Sequence, residues 1–166
     1  MGKELDEKDR LLLQHLQGDA RITNTELARR VDLSPPGLQR RLRRLEEIGV
    51  IDQYVALLDR AAVGFDMTCF VQVTLRRHEP EAIRAFREIV RDMPEIMECH
   101  HVTGEYDYLL KVLVRNRQHL ETFLVDKLTP VRGMDKIRTS LVLSEIKTTT
   151  QVPLDMFEID NNDHLD

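Results

Sequence analysis

Apolar positions follow two regimes along this chain. Up to Gly49 they recur at helical spacing; beyond Val50 they form short alternating runs, interrupted by two further helical stretches. Leu12, Leu13 and Leu16 are the stripe of a first helix, predicted to open at the N-cap Asp6, run through Gln17 and stop at Gly18. Thr23 has Glu26 three residues later, which predicts a capping box, and Ile22 with Leu27 supplies the hydrophobic staple. A second helix therefore runs from Asn24 to about Val31, with Leu27, Ala28 and Val31 facing inward. Ser34 followed by Pro35 is an N-cap with proline at the first helical position, so a third helix runs to about Ile48, with Gly49 as its C-cap.

On that third helix Leu38, Leu42 and Leu45 share one stripe, while Pro36, Gln39, Arg40, Arg43 and Arg44 cover the other side. Three leucine-packed helices with a short turn between the last two make a helix-turn-helix head. After it, the segment 50–58 turns β-branched and aromatic with a partial period of two, which predicts a strand, and Asp59 to Gly64 is a hinge. Met67, Cys69, Val71, Val73 and Leu75 then alternate with polar residues over Phe65 to Leu75, a half-buried strand. Pro80 opens a helix carrying Ile83, Phe86, Ile89 and Val90. Ile96 to Thr103 and Tyr106 to Val114 are predicted as a hairpin about Gly104 and Glu105, His119 to Leu128 as a helix, and Ile137 to Ile146 as the last strand.

The order β-α-β-β-α-β is the ferredoxin-like split. Right-handed crossovers put both helices on one face of an antiparallel sheet, leaving the other for a second copy to cover. The predicted class is α+β, with a head over 1–50, a strand linker over 51–64, a ferredoxin-like domain over 65–153 and an acidic tail over 154–166. Thr148 to Pro153 is expected as an extension of the last strand.

Charge alters this picture only when divided. The net charge is -5, yet ten of the 24 Lys and Arg against nine of the 29 Asp and Glu fall in Met1 to Val50, so the acid lies mainly in the second domain. No acid stands between Leu33 and Leu45, where Arg40, Arg41, Arg43 and Arg44 cluster. Local potential rather than net charge steers a protein to nucleic acid, and guanidinium groups suit phosphate oxygens and guanine edges. Gln39, Arg40 and Arg43 are candidates for base edges; Arg44 and Arg41, with the backbone amides of Ser34 to Gly37, for phosphates. Gly37 permits close backbone approach, and Pro36 lies on the same side.

Cys69 and Cys99 show no ligand spacing, and neighbouring His100 and His101 point to opposite faces of a strand, so no metal is expected. Ser34 and Ser144 lack a His or Asp partner for nucleophilic catalysis, and no phosphate-binding glycine loop occurs. The absence of a long apolar run predicts no membrane span and no secretion signal, hence a cytoplasmic protein.

The run from Leu5 through ARITNTELARRVDLSPPGLQRRLRRLEEIGVIDQYVALLD, with ECHHVTGEYDYLLKV downstream, resembles the Lrp/AsnC family of transcription regulators over about Leu5 to Pro153. The resemblance implies that strand 50–58 pairs with its copy in a second subunit, that homodimers assemble to tetramers or octamers on double-stranded DNA, and that no cofactor is needed beyond a small effector, an amino acid. The family's V-T-G-x-x-D-Y loop implies an effector pocket between subunits at Thr103, Gly104, Tyr106, Asp107 and Tyr108. Asp107 is the candidate to receive an α-ammonium group, and Leu141, Val142 and Leu143 are candidate contributors from an adjacent subunit. Ser140 and Ser144 depart from the familiar pattern and leave the effector open. The rival reading is a ferredoxin-like enzyme or metabolite-binding module whose helical head serves protein interaction.

Overall fold

The computed structural model describes residues 5–76 and 80–154. Two compact units are formed, one by 1–56 with 147–166 and one by 57–146. The acidic tail predicted from residue 154 lies, beyond Leu154, outside the described residues.

Three helices build the first unit: α1 (Glu7–Gly18), α2 (Asn24–Arg30) and α3 (Pro35–Glu47). Each starts where a short polar side chain can take an amide left without a helical partner. Asp6 accepts from the Asp9 N–H at 2.8 Å, with the Asp9 carboxylate reaching back to complete a box. Thr23 accepts from Glu26 N–H, and Ser34 from Gly37 N–H. The box predicted at Thr23 is only half formed, because the Glu26 carboxylate turns to Arg29 and Arg30 at 2.7 to 2.9 Å. Two guanidinium groups outcompete one exposed amide for that carboxylate. Leu12, Leu27, Val31, Leu38 and Leu45 are buried to within 1 % and form the head's core. Asp32 takes φ 49° and Gly49 φ 64°, the left-handed positions that turn the chain into and out of α3.

The predicted strand over 50–58 is not formed. It has no ladder among the described residues, and Val55, Leu57 and Leu58 are more than half exposed. Extended backbone becomes a strand only beside a partner, and none of the described residues supplies one. Beyond a turn closed by Phe65 N–H to Arg60 O, the second unit contains β1 (Met67–Leu75), α4 (Pro80–Arg91), β2 (Ile96–His101), β3 (Tyr108–Val114), α5 (Arg117–Thr122) and β4 (Met134–Leu141). The sheet order β2-β3-β1-β4 is antiparallel throughout, as the ferredoxin-like split requires.

Cys69, Val71 and Val73 of β1 and Leu110, Val112 and Val114 of β3 are fully buried with Phe86 of α4 and Phe123. Ile89, predicted on the buried stripe of α4, is 40 % exposed. The predicted last helix is α only through Thr122 and continues as a π-helix over Phe123–Leu128. The last strand begins three residues earlier and ends five earlier than predicted, because its bounds follow pairing with β1 from Met134 opposite Leu75 to Leu141 opposite Cys69. The predicted hairpin turn of two residues is a loop from Val102 to Asp107. Nor does Thr148 to Pro153 extend β4. That segment is irregular and bonds to the head: Val152 N–H donates to Gln17 Oε1 at 2.6 Å, and the Gln17 amide returns a bond to Val152 O.

Candidate nucleic-acid interface and effector pocket

Helix α3 places its arginines unequally. Leu38 and Leu45 are fully buried, which fixes the helix's rotation and turns Gln39, Arg40 and Arg43 out to solvent. Pro36, Gln39, Arg40, Arg43, Arg44 and Glu47 line a shallow cleft of about 330 Å³ on that face. Glu47 is an acid at its edge which the one-signed stretch ending at Leu45 does not foretell. Arg40 and Arg43 have no ion pair among the described residues.

The other two arginines are held. Arg41 Nη1 donates to Asp6 Oδ2 at 2.5 Å and to Asp9 Oδ1 at 2.8 Å, and Arg44 Nη1 donates to Asp9 Oδ2 at 2.9 Å. Asp9 is 1 % exposed. Partial burial alone would raise the Asp6 carboxyl, but the Arg41 hydrogen bond and the Asp9 amide carry it below the usual carboxylate range. The bonds Arg41 donates to Asp6 and Asp9 raise its own pKa in turn.

The start of α3 offers few backbone donors. Pro35 and Pro36 have no N–H, and that of Gly37 goes to Ser34 Oγ at 3.3 Å. A Cβ at position 37 would stand 3.1 Å from Ser34 Oγ, so glycine lets the cap close. Two prolines and the cap bond thus take three of the four positions Ser34 to Gly37 out of the expected phosphate role for backbone amides.

In the second unit the loop 102–107 is built around Asp107. Its N–H donates to Val73 O at 2.9 Å, its carbonyl accepts from Val102 N–H at 3.0 Å, and its Oδ2 accepts from Leu75 N–H at 2.7 Å. One oxygen of the carboxylate expected to receive an α-ammonium group thus closes the end of β1. Gly104 has φ 127°, a conformation that favours glycine, and Thr103 and Gly104 are exposed on the loop. Tyr108 points into the core against Phe86, with ring centroids 4.5 Å apart, and stacks on His101 at 4.9 Å. His100, on the other face, contacts Glu98 at 3.1 Å.

Tyr106 lines a cavity of about 320 Å³ with Gln72, Thr74, Glu105, Lys136 and Arg138, a lining that Thr103, Gly104, Asp107 and Tyr108 do not join. Gln72 pairs with Arg138 and Thr74 with Lys136 across β1 and β4, on the sheet face away from the helices. Glu105 is the exposed acid, 3.8 Å from Arg138. Alternation in β1 already sets Gln72 and Thr74 opposite the core; Lys136 stands just before the predicted last strand. Leu141, Val142 and Leu143 do not line this cavity. Leu141 is half exposed, Val142 N–H donates to Thr68 O at 2.9 Å, and Leu143 is 93 % exposed.

A capped helix-turn-helix with a cationic outer face, in one chain with a ferredoxin-like domain carrying a polar cavity, defines a two-domain DNA-binding regulator with a ligand-binding module. Residues 5–52 match the winged helix-turn-helix DNA-binding family, and residues 68–152 match the Lrp/AsnC ligand binding domain. The chain belongs to the Lrp/AsnC family of transcription regulators. It is 39 % identical over 151 residues to the leucine-responsive regulatory protein of Rhizobium meliloti, covering 91 % of this chain and 97 % of that protein. A transcriptional regulator of Neisseria meningitidis solved in complex with L-Met superposes with TM-score 0.89 at 39 % identity, over 93 % of this chain and 99 % of that one. A feast or famine regulatory protein of Mycobacterium tuberculosis complexed with L-methionine gives TM-score 0.78 at 32 % identity, over 90 % and 99 %. Among the described residues no helix is long and apolar enough to cross a membrane.

Proposed function

We propose that this chain is a cytoplasmic, homo-oligomeric, amino-acid-responsive regulator that acts by binding rather than by catalysis. Helix α3 lies in the major groove, where Gln39, Arg40 and Arg43 read base edges, while Ser34 and the outer part of Arg44 meet phosphates. The observation that carries this reading is the rotation of α3, with Leu38 and Leu45 fully buried and Arg40 and Arg43 free on the opposite face. Two such helices in a dimer read half-sites roughly 34 Å, or a multiple of it, apart.

Dimerisation is supported by the segment 52–58, which has no strand partner among the described residues, and its exposed Tyr54, Val55, Leu57 and Leu58, and by Phe70, 39 % exposed on the sheet face that carries no helices. An amino acid bound beside the loop 102–107, between subunits, shifts assembly towards tetramers or octamers by its differential affinity for the two states. The L-methionine complexes of two relatives support an amino acid as the class of effector. Near Tyr106 the exposed Glu105 takes the ammonium role expected of Asp107, and Arg138 or Lys136 takes the carboxylate.

The test is a fluorescence polarisation titration of the full-length protein on a duplex from its own promoter, with competitor DNA, a salt series and each of several amino acids. Competitor-resistant binding with a steep salt dependence, altered by at least one amino acid together with the sedimentation profile, is the expected result. Binding that any DNA competes away, and that no amino acid restores, would refute it.

A further inference from the structure

The α1 capping box does two things at once. Asp6 Oδ1 closes the helix start, while Asp6 Oδ2 and both Asp9 oxygens receive Arg41 and Arg44 from the recognition helix. Two of the four arginines of α3 are therefore matched by two carboxylates inside the protein, and Arg40 and Arg43 carry the uncompensated charge. The side chain of Arg41 is 27 % exposed and that of Arg44 47 %.

We propose that Asp6 and Asp9 are specificity-determining positioning residues: they hold Arg41, and one edge of Arg44, off the DNA backbone so that binding depends on Arg40, Arg43 and Gln39. For both arginines to move to phosphates, Asp9 would remain as an almost fully buried carboxylate without its partners, close to a polyanion. Removing one side of such a pair is strongly unfavourable. Phosphate contacts add affinity for any sequence, whereas base-edge contacts add it for one. On its own site the docking of α3 is fixed by base-edge contacts, whereas on random duplex the head settles wherever a freed cation meets a phosphate, so sequestering two of the four cations lowers non-specific affinity more than specific affinity and raises the ratio between them. This rests on α3 being the helix that meets DNA.

The test titrates the full-length protein against a labelled random-sequence duplex and a labelled duplex of its own promoter over a series of salt concentrations. Asp6→Asn keeps a good N-cap and removes one carboxylate from Arg41; Asp9→Asn weakens the hold on both arginines. For each arginine freed, the salt slope on random duplex should steepen by about 0.9, or roughly a 3.5-fold greater loss of affinity for a four-fold rise in salt. The promoter-to-random affinity ratio should fall. Adding Arg41→Gln to Asp6→Asn should return the slope to wild type, which a general distortion of the head would not do. Arg41→Gln alone should leave the slope unchanged, while Arg40→Gln flattens it.

Wild-type slopes in both aspartate variants, or weaker binding to random duplex, overturn the proposal. So does a flatter slope in Arg41→Gln alone, since Arg41 would then already sit on phosphate. An unchanged slope in Arg40→Gln removes the reading of α3 as the DNA-contacting helix and the proposal with it, a failure distinguished by that variant.

Discussion

Leu38→Ala should strongly destabilise the head and leave the ferredoxin-like unit standing. Leu38 is fully buried in a core of seven buried residues shared by α1, α2 and α3, separate from the thirteen-residue core of the second unit. Truncating a leucine at such a site costs about 2.7 to 5 kcal/mol, the lost transfer free energy plus the cavity left behind. At the usual 0.05 to 0.15 kcal/mol per residue, a unit formed largely by 1–56 has a stability of only about 3 to 8 kcal/mol. The substitution therefore removes most of it. Scanning calorimetry of the wild type should resolve two transitions, and Leu38→Ala should lower one by at least about 10 °C, at 4 to 8 °C per kcal/mol, while the other stays in place. Polarisation titrations should lose DNA binding while sedimentation keeps the wild-type oligomer. If both transitions fall together, or neither moves, the separation of the two cores is wrong.

Arg40→Ala should weaken binding to the protein's own promoter by about 1 to 3 kcal/mol and relax the preference at one base pair in a substituted-duplex panel; equal loss on every sequence would make it a phosphate contact. Asp107→Ala removes the acceptor of Leu75 N–H and should cost about 1 to 3 kcal/mol in the second unit, read from the urea midpoint, because a part-buried donor is left unmatched. Glu95, 5 % exposed, would be raised by burial alone, but hydrogen bonds from Lys127 and His119 hold its carboxyl below the ordinary value. A depressed carboxyl contributes stability that is complete above the unfolded value, about 4.3, and is lost as pH falls through the lower folded one. The second unit's acid limb should flatten in Glu95→Gln, and an unaltered pH profile in a melting series would count against the pairing.

Features carried by neighbouring residues were legible in the sequence: the caps Asp6, Thr23 and Ser34, the leucine stripe of α3, and the alternation of β1. Those set by residues far along the chain were not. Arg41 reads as a free cation until Asp9, 32 positions earlier, folds against it. Asp107 reads as a solvated loop acid until Leu75 N–H, equally distant, donates to one of its oxygens. Glu26 illustrates a local ambiguity instead: its spacing from Thr23 and its spacing from Arg29 and Arg30 are both favourable, and the charged partners prevail. Segment 50–58 has the composition of a strand, but strand formation is a property of two segments, and the second is not in this chain's described fold.

The bonds between Gln17 and Val152 give the molecule an unusual wiring. Because 147–154 returns to the unit that contains α1, the ligand-binding unit is in effect an insertion within the DNA-binding one, entered after Ala56 and left after Ile146. Two covalent strands join the halves instead of one. The second of them carries the chain from the end of β4 to the end of α1, where Gln151 and Val152 bond Gln17. Cutting the chain after Ile146 would leave the four strands of the sheet uncut and strip the end of α1 of its bonds to Gln151 and Val152.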